Sequence, residues 1–372
     1  MTHSALKPFP TTAQGSAMAA RRPVSSRGMR ATILLVLVAL LISLLLLSIA
    51  TGSVNIPLSD IVSVVTGGEA STAARASIIL KFRVPKALTA ALAGAALAVG
   101  GLQMQTFFRN PLAGPFVLGI SSGASLGVAL VVLSAGGVGA TLLTGNSLPG
   151  DIGLAIAASI GSGIVMALVL LVARHIQSSM TLLILGVLFG YLVNALVSLL
   201  LFFSIAERIQ AYINWTYGSF NGVTWSQLKV MGPAIIVGLM IALLLSKPLN
   251  ALLLGENYAR SMGLNIHRAR LWIVASTAIL AGTVTAFAGP ITFIGVAVPH
   301  LCRSLFGTSD HRILIPSTII VGAIVALLAA LIAELPGNRI VLPLNAITAF
   351  IGAPIVIWVI LRRRNLRNTF AG

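Results

Sequence analysis

The sequence predicts an all-α polytopic membrane protein of about ten transmembrane helices, arranged as a five-plus-five inverted repeat. Of its 372 residues, 57% are hydrophobic and only 8% are charged. The mean hydropathy is +1.02, a value that soluble globular domains of this length do not reach. Apolar segments close to the ~20 residues that cross a bilayer recur along the whole chain. The predicted spans are residues 31–50, 87–107, 117–136, 152–173, 180–204, 228–246, 270–289, 291–302, 313–333 and 344–361.

The first span follows a polar tail. Residues 1–30 are rich in Ser, Thr, Ala and Arg, and we predict a disordered cytoplasmic tail there. A signal peptide is the alternative, because the apolar run 31–50 ends in "SIA". At ~20 residues this run exceeds a typical signal core, so we interpret it as a span. The permease-sized membrane domain is then 31–364, and 365–372 form a second cytoplasmic tail.

Basic residues set the predicted orientation. With the N-terminus inside, 17 of the 24 Lys and Arg residues fall in cytoplasmic segments, so both termini are predicted to be cytoplasmic. The net charge of +17 therefore indicates cytoplasmic loops beside an anionic membrane and not a nucleic-acid partner. The single cysteine, Cys302, cannot form an internal disulfide and says nothing about the compartment.

Two irregular segments occupy corresponding places in the two halves. The stretch 114–127, "GPFVLGISSGASLG", opens the third span, and 289–300, "GPITFIGVAVPH", covers most of the short eighth span. Because five is an odd number of spans, the second half must be inverted relative to the first. Paired interruptions of this kind indicate a transport pathway, and close packing of helices through small residues is the equally weighted alternative.

The chain shows no energy source of its own. It contains no P-loop or HExxH sequence and no His/Cys cluster, and we predict no catalytic residue, metal site or cofactor. His300 is interpreted as a polar residue at a helix end, with a ligand role as the alternative. The carboxylates lie in loops or at span ends, which disfavours an ion-coupled secondary transporter. They are Asp60, Glu69, Asp151, Glu207, Glu256, Asp310 and Glu334.

The longest loop between spans, residues 247–269, is predicted to be cytoplasmic. Apolar residues recur at helical spacing over Pro248–Met262, and Gly263 follows as a C-cap. This predicts one short amphipathic helix. It suits docking of a partner protein, and an interfacial membrane anchor is the alternative.

Four blocks give the sequence its family resemblance. They are residues 83–127 beginning "RVPKALTAALAG", 255–270 "GENYARSMGLNIHRAR", 288–316 "AGPITFIGVAVPHLCRSLFGTSDHRILIP" and 342–364 "LPLNAITAFIGAPIVIWVILRRR". In this order they resemble the iron-compound and cobalamin uptake permeases, the membrane subunits of binding-protein-dependent ABC importers. The resemblance implies a permease in the bacterial inner membrane that works by alternating access. The implied cargo is an iron chelate, a ferric siderophore above all, with haem or cobalamin as alternatives.

The resemblance also implies partners and contact residues. Separate ATP-binding subunits would contact the loop between helices 6 and 7, and a periplasmic or surface binding protein would dock on the outer face. A second permease subunit, identical or paralogous, would complete the translocation path. The implied residues are Glu256, Ala259, Arg260, Met262 and Gly263 for ATPase coupling, Arg83, Lys86 and Arg339 for the binding protein, and Asn194, Ser198 and Asn345 for the path. Glu334 departs from the family pattern, which has Arg near that position, and we assign it no docking role.

Overall fold

The computed structural model describes residues 27–52, 54, 56–68, 70–133, 149–176, 178–334 and 341–368, and within these ranges the chain is helical without strands. A π-helical turn, Ile79–Arg83, joins the third helix to the fourth. The helices are α1 (Arg27–Ala50), α2 (Leu58–Val65), α3 (Ala73–Ile78), α4 (Val84–Phe107), α5 (Ile120–Leu133), α6 (Pro149–His175), α7 (Ser179–Phe202), α8 (Ala206–Thr216), α9 (Trp225–Leu244), α10 (Ser246–Leu253), α11 (Glu256–Ser261), α12 (Ile266–Ala288), α13 (Ile294–Phe306), α14 (His311–Ala333) and α15 (Leu344–Asn368).

Each of the ten predicted spans corresponds to one helix. Among the described residues, 7 helices are long and apolar enough to cross a membrane, and α5, α13 and the first part of α15 are shorter apolar helices. The two ends of the predicted membrane domain, 31 and 364, shift slightly. Helix α1 begins at Arg27, inside the predicted tail, and α15 continues to Asn368, because Arg is a good helix former and favours a helix C-terminus.

The packing supports the five-plus-five division. When each of the first five spans is matched to the span five places later, contacts in one half have counterparts in the other. Helix α4 packs on α14 as α12 packs on α6, and α5 packs on α7 as α13 packs on α15. Helix α4 packs on α13 as α12 packs on α5. The span α4 is the most enclosed, with 83% of its apolar window buried, whereas 17% of the α1 window is buried.

Among the described residues the third span forms a helix of 14 residues and the eighth span a helix of 13, although only the eighth was predicted to be short. Helix α5 begins after Gly119, at φ 75°, and α13 begins after Phe293, at φ 66°. The left-handed conformation costs a residue other than glycine about 1–2 kcal/mol, so Phe293 is held there by its surroundings. Its Cβ lies only 2.6 Å from the position that a methyl group on Gly352 would take.

The glycines of these segments lie where helix backbones touch. A Cβ added to Gly127 would lie 2.1 Å from the carbonyl oxygen of Ala157, and one added to Gly123 would lie 2.6 Å from that of Gly161. A Cβ added to Gly101 of α4 would lie 1.7 Å from the carbonyl oxygen of Gly295 in α13. The stretch 114–127 therefore serves close packing of α5 on α6, which is the alternative that the sequence left open.

Local caps explain where several helices begin. Thr224 and Gln227 form a reciprocal capping box at the start of α9. The side chains of Asn265 and Asp310 accept backbone N–H groups at the starts of α12 and α14, each at 3.0 Å. These caps fix the points at which the connecting segments enter the three helices.

The prediction of one amphipathic helix over Pro248–Met262 is wrong. The segment forms two helices, α10 and α11, separated at Leu254 and Gly255. Gly255 has φ 109°, a conformation that an α-helix cannot contain and that glycine adopts most readily. The periodicity of the leucines is helical on both sides of this break, so it did not reveal the interruption.

Candidate coupling and docking sites

Helix α11 ends in a complete glycine cap. The N–H of Leu264 donates to the carbonyl of Ala259 at 3.0 Å, and the N–H of Gly263 donates to the carbonyl of Arg260 at 2.9 Å. These two bonds form a Schellman motif, and Gly263 takes the required positive φ of 83°. The predicted cap at Gly263 is therefore confirmed as a structural feature.

The residues implied for ATPase coupling divide into an exposed and a buried set. Met262 is 52% exposed, and beside it Tyr258 and Leu254, which were not among the implied residues, are 52% and 61% exposed. Arg260 is also exposed. Ala259 is fully buried and packs into the core of this chain. The exposed side of α11 thus carries apolar and basic groups. The small side chain of Ala259, on the buried side, lets the helix lie close to the rest of the chain.

Glu256 is linked to the body of the protein through Arg270. Its Oε1 lies 3.5 Å from Nη2 of Arg270, a residue at the start of α12 that is only 3% exposed. Nη1 of the same guanidinium donates to the carbonyl oxygen of Ile176, between α6 and α7. The guanidinium carbon is also 5.8 Å from the ring centre of Phe107 at the end of α4.

A second polar cluster holds α10. Asn250 Oδ1 accepts from the backbone N–H of His311 and from its Nδ1, both at 2.8 Å, and Asn250 Nδ2 donates to Asp310 Oδ1 at 2.6 Å. The other ring nitrogen of His311 lies 2.8 Å from the hydroxyl of Thr106 in α4. Three elements, α4, α10 and α14, are therefore joined by these hydrogen bonds.

On the predicted outer side, Arg83 is largely a structural residue. Its side chain is 6% exposed, and Nη1 donates to the carbonyl oxygens of Ile49 at 2.9 Å and Ala50 at 2.8 Å. Nη2 donates to the carbonyl oxygen of Val54. The bonds to Ile49 and Ala50 satisfy carbonyls at the C-terminus of α1 that have no partner within the helix. A cation at this position is also favoured by the helix dipole.

Lys86 lies beside Arg83 and forms an ion pair with Glu334 at the end of α14. Both lysine and glutamate line a cavity of about 330 Å³ that also contains Arg83, Phe82 and Asn221. Arg339, the third implied docking residue, lies outside the described residues. Glu334, which the resemblance left without a role, is thus the partner of a predicted docking lysine.

The three residues implied for the path lie in different environments. Asn194 and Ser198 are exposed on α7, and the Ser198 hydroxyl donates to the carbonyl of Asn194 at 2.8 Å. Asn345 is engaged inside the chain. Its Nδ2 donates to the carbonyls of Thr216 at 2.8 Å and Pro290 at 2.6 Å, and its Oδ1 accepts the N–H of Thr292 at 2.9 Å. Asn345 therefore ties α15 to the segments before α9 and α13.

Arg270 and His311 were not singled out from the sequence, although both stand in the resemblance blocks. Arg270 is the fifth residue of α12 and His311 is the first residue of α14, so the signal in the sequence was a basic or titratable side chain beside the start of an apolar span. His300 is buried in the middle of α13, with Nε2 2.8 Å from the carbonyl oxygen of Pro111, so the interpretation as a polar residue at a helix end is wrong. Among the described residues no group of His, Cys, Asp and Glu has the arrangement of a metal site.

Comparisons with known proteins place this geometry in context. Residues 39–362 match the model of the FecCD transport family. The vitamin B12 import system permease protein BtuC of Klebsiella pneumoniae subsp. pneumoniae is 38% identical over 328 residues, which cover 88% of this chain and 93% of that protein. BtuC of Citrobacter koseri is 39% identical over 286 residues, covering 77% and 83% of the two chains.

A solved structure has the same fold. An ABC transporter assigned to the metal-chelate type, in an inward-facing conformation, matches with a TM-score of 0.75 and 29% identity. The match covers 89% of this chain and 99% of that one.

Proposed function

The chain belongs to the FecCD transport family and is a multi-pass permease of an ABC importer, and we propose that its cargo is vitamin B12 or a related corrinoid. The observation that carries this proposal is the near full-length match to vitamin B12 import permeases, at 38% identity and 93% coverage of the relative. The expectation of a ferric siderophore is thereby replaced by the cobalamin alternative. Such relatives give no comparable support to haem.

A metal chelate is the second candidate. The solved transporter of metal-chelate type shares the fold over 89% of this chain, at 29% identity. Both cargoes are large and carry a metal that is already fully ligated. A passage for them needs width and few fixed charges, because a buried charge would bind an oppositely charged chelate too tightly for release.

Three partners complete the importer in this proposal. ATP-binding subunits contact the exposed side of α11, with Tyr258, Arg260 and Met262 at the surface and Ala259 and Gly263 shaping the backbone behind it. A substrate-binding protein docks on the outer face around Lys86. A second permease subunit covers the exposed face of α7, which carries Asn194 and Ser198. ATP binding and hydrolysis then drive alternation between outward- and inward-facing states, with both chain termini in the cytoplasm.

The cargo is tested with the cognate substrate-binding protein and the complete importer. The purified binding protein is titrated with cyanocobalamin, a ferric hydroxamate and a ferric catecholate, and uptake of each is then measured in vesicles that contain the importer. We expect tight binding and ATP-dependent uptake of cyanocobalamin alone. Uptake of a ferric siderophore without cyanocobalamin would establish the second candidate, and uptake that follows a proton gradient without ATP would refute the ABC mechanism.

A further inference from the structure

Helix α11 lies between two glycines whose backbone conformations permit it to move as a unit. Gly255 has φ 109° before the helix, and Gly263 has φ 83° after it. No atom would contact a Cβ added to Gly263, so this glycine is required by its backbone conformation and not by crowding. Helix α11 is only 6 residues long, and among the described residues its side chain fixed in the core is Ala259.

The preceding helix, α10, is anchored to one side of the bundle. It follows α9 after a single residue, and its Leu249 and Leu252 are 0% and 5% exposed. Asn250 fastens it to Asp310 and His311 at the start of α14, and His311 reaches Thr106 of α4. Helix α10 is therefore held by α4 and α14.

Helix α11 is held by a different contact, which runs to the connection between α6 and α7. Glu256, its first residue, is paired with Arg270, and Arg270 donates to the carbonyl oxygen of Ile176. Ile176 lies in the short connection between the end of α6 at His175 and the start of α7 at Ser179. The contact thus ends at the root of α7, the helix that carries Asn194 and Ser198.

We propose that Arg270 is a positioning residue that transmits displacement of α11 to the start of α7, while α10 stays with α4 and α14. This inference rests on the proposed function, because it takes α11 to be the surface that the ATP-binding subunit displaces. Arginine suits the role because its planar guanidinium can bond two acceptors in different directions at once, which a lysine ammonium on one flexible stem does poorly.

Burial makes the link effective. Arg270 is 3% exposed, and the folded protein is strongly destabilised when a buried cation loses its partner. When α11 shifts, the guanidinium therefore follows Glu256 and pulls or releases the carbonyl of Ile176. Its contact with Phe107 of α4 is a cation–π approach at 5.8 Å, which limits the motion to small displacements.

The functional test uses the complete importer in vesicles, with cyanocobalamin as cargo. In the Arg270→Lys variant, we expect co-purification of the ATP-binding subunit and ATP hydrolysis to stay within about twofold of the parent. Glu256 is itself implied for the ATPase contact, so Glu256→Gln is compared with the parent only by uptake per ATP hydrolysed. Uptake per ATP hydrolysed should fall about tenfold, the size of a typical coupling free energy. The double variant should fall no further than the lower single variant, because the two residues act in series. Arg268→Lys, at an exposed site on the same helix, is the matched control and should equal the parent.

Either of two results would overturn the proposal: uptake per ATP equal to the parent in Arg270→Lys, or hydrolysis and uptake falling in the same proportion. The second result would show that Arg270 only holds the fold or the ATPase contact.

A structural readout separates this proposal from the choice of cargo. In a Cys302→Ala background, spin labels are placed at exposed positions of α11, α7 and α10, namely Asn257, Met180 and Leu253. Distances between the labels are measured by electron paramagnetic resonance in the importer without nucleotide and with ATP. We expect the 257–253 distance to change on ATP binding and the 257–180 distance to stay constant, and Arg270→Lys should abolish that constancy. An unchanged 257–253 distance with the ATP-binding subunit bound would refute the inference, whereas failure of the unlabelled subunits to co-purify would refute the proposed function.

Discussion

The ammonium group of Lys86 and the carboxylate of Glu334 form an ion pair that joins the start of α4 to the end of α14, 248 positions apart in the sequence. The side chains are 13% and 20% exposed, so the pair is partly shielded from solvent. The one lysine expected to meet a binding protein is therefore neutralised by an acidic residue of its own chain. Glu334 stands where the family pattern has a basic residue, so this outer surface has less positive charge than the pattern implies.

This pair predicts that removing the charge of either partner has opposite effects on docking of the binding protein. Lys86→Gln removes a cation and should weaken docking by about 1 kcal/mol, roughly fivefold. Glu334→Gln releases the lysine and should strengthen docking by a similar factor. Biolayer interferometry at low and high salt measures both, with Lys229→Gln as a control at an exposed basic site. Weaker docking of Glu334→Gln would show that Lys86 does not meet an acidic partner.

Arg83 is expected to act mainly on stability. Arg83→Met leaves the carbonyls of Ile49, Ala50 and Val54 without their donor, and the loss of charge-assisted bonds to buried acceptors should lower the unfolding free energy by about 2–4 kcal/mol. Thermal unfolding in detergent measures this effect. Lys81→Met, at an exposed site two residues earlier in the same π-helical turn, should unfold at the temperature of the parent. Equal unfolding temperatures for the two variants would mean that the Arg83 bonds do not hold α1 to α4.

The sequence predicted the spans well and the contacts poorly, for a physical reason. A bilayer requires about 20 apolar residues per crossing, and this requirement is written locally into segments such as 31–50 and 313–333. The pairing of Lys86 with Glu334 depends instead on packing between distant helices, which no local pattern records. The same holds for Glu256 and Arg270, although they are only 14 residues apart, because a glycine break turns the chain between them.

The two glycine-rich segments were predictable in part: their positions followed from the sequence and their packing partners did not. Their matched positions were predicted from the irregular sequences and the count of spans, and the structure has a short helix at each, of which only the eighth span was expected to be short. Whether their glycines lined a passage or packed against neighbours depended on Ala157, Gly161 and Gly295, which lie on other helices. A residue's role in a membrane bundle is thus set by the partner helix more than by its own segment.

The segment between α2 and α3 should lose order in acid. Asp60 accepts the hydroxyl of Ser71 at 2.7 Å, its N–H at 3.2 Å and the guanidinium of Arg75 at 3.0 Å. The Ser71 hydroxyl, followed by the Ser71 N–H and Arg75, holds the pKa of Asp60 below its usual value of 3.8, against the opposing effect of burial. A depressed carboxyl pKa stabilises the segment above the unfolded pKa, and that stability is lost as the pH falls below about 4 through the folded pKa.

Hydrogen exchange of the α2 and α3 peptides, corrected for intrinsic rates, should show this loss of protection between neutral pH and pH ~3. Asp60→Asn should remove the pH step and exchange faster at neutral pH. Protection of the parent that stays constant down to pH ~2 would exclude a role for Asp60 ionisation.

Gly263→Ala should weaken association with the ATP-binding subunit. No atom crowds the added methyl group, so the cost is the positive φ of 83°, about 1–2 kcal/mol, which the Schellman cap cannot avoid. Frayed α11 would then present Tyr258 and Met262 poorly. Gly222→Ala is the matched control, because its Cβ also meets open space and its φ is ordinary. Co-purification of the ATP-binding subunit measures the effect, and equal yields from both variants would remove the cap from the docking surface.

The contact of α4 with α13 should tolerate no methyl group. A Cβ at Gly101 would lie 1.7 Å from the carbonyl oxygen of Gly295, so Gly101→Ala must push two backbones apart and should cost about 3 kcal/mol or prevent folding. A Cβ at the preceding residue, Gly100, would lie 3.3 Å or more from neighbouring side chains, so Gly100→Ala should cost much less. Gly163→Ala, in the middle of α6 with no atom within 4 Å, should stabilise the helix by about 0.5–1 kcal/mol. Unfolding temperatures in detergent should therefore rank Gly163→Ala above Gly100→Ala and Gly100→Ala above Gly101→Ala. Because all three changes add the same methyl group to a helix, a different order would mean that helix α4 and helix α13 do not approach as closely as the structure places them.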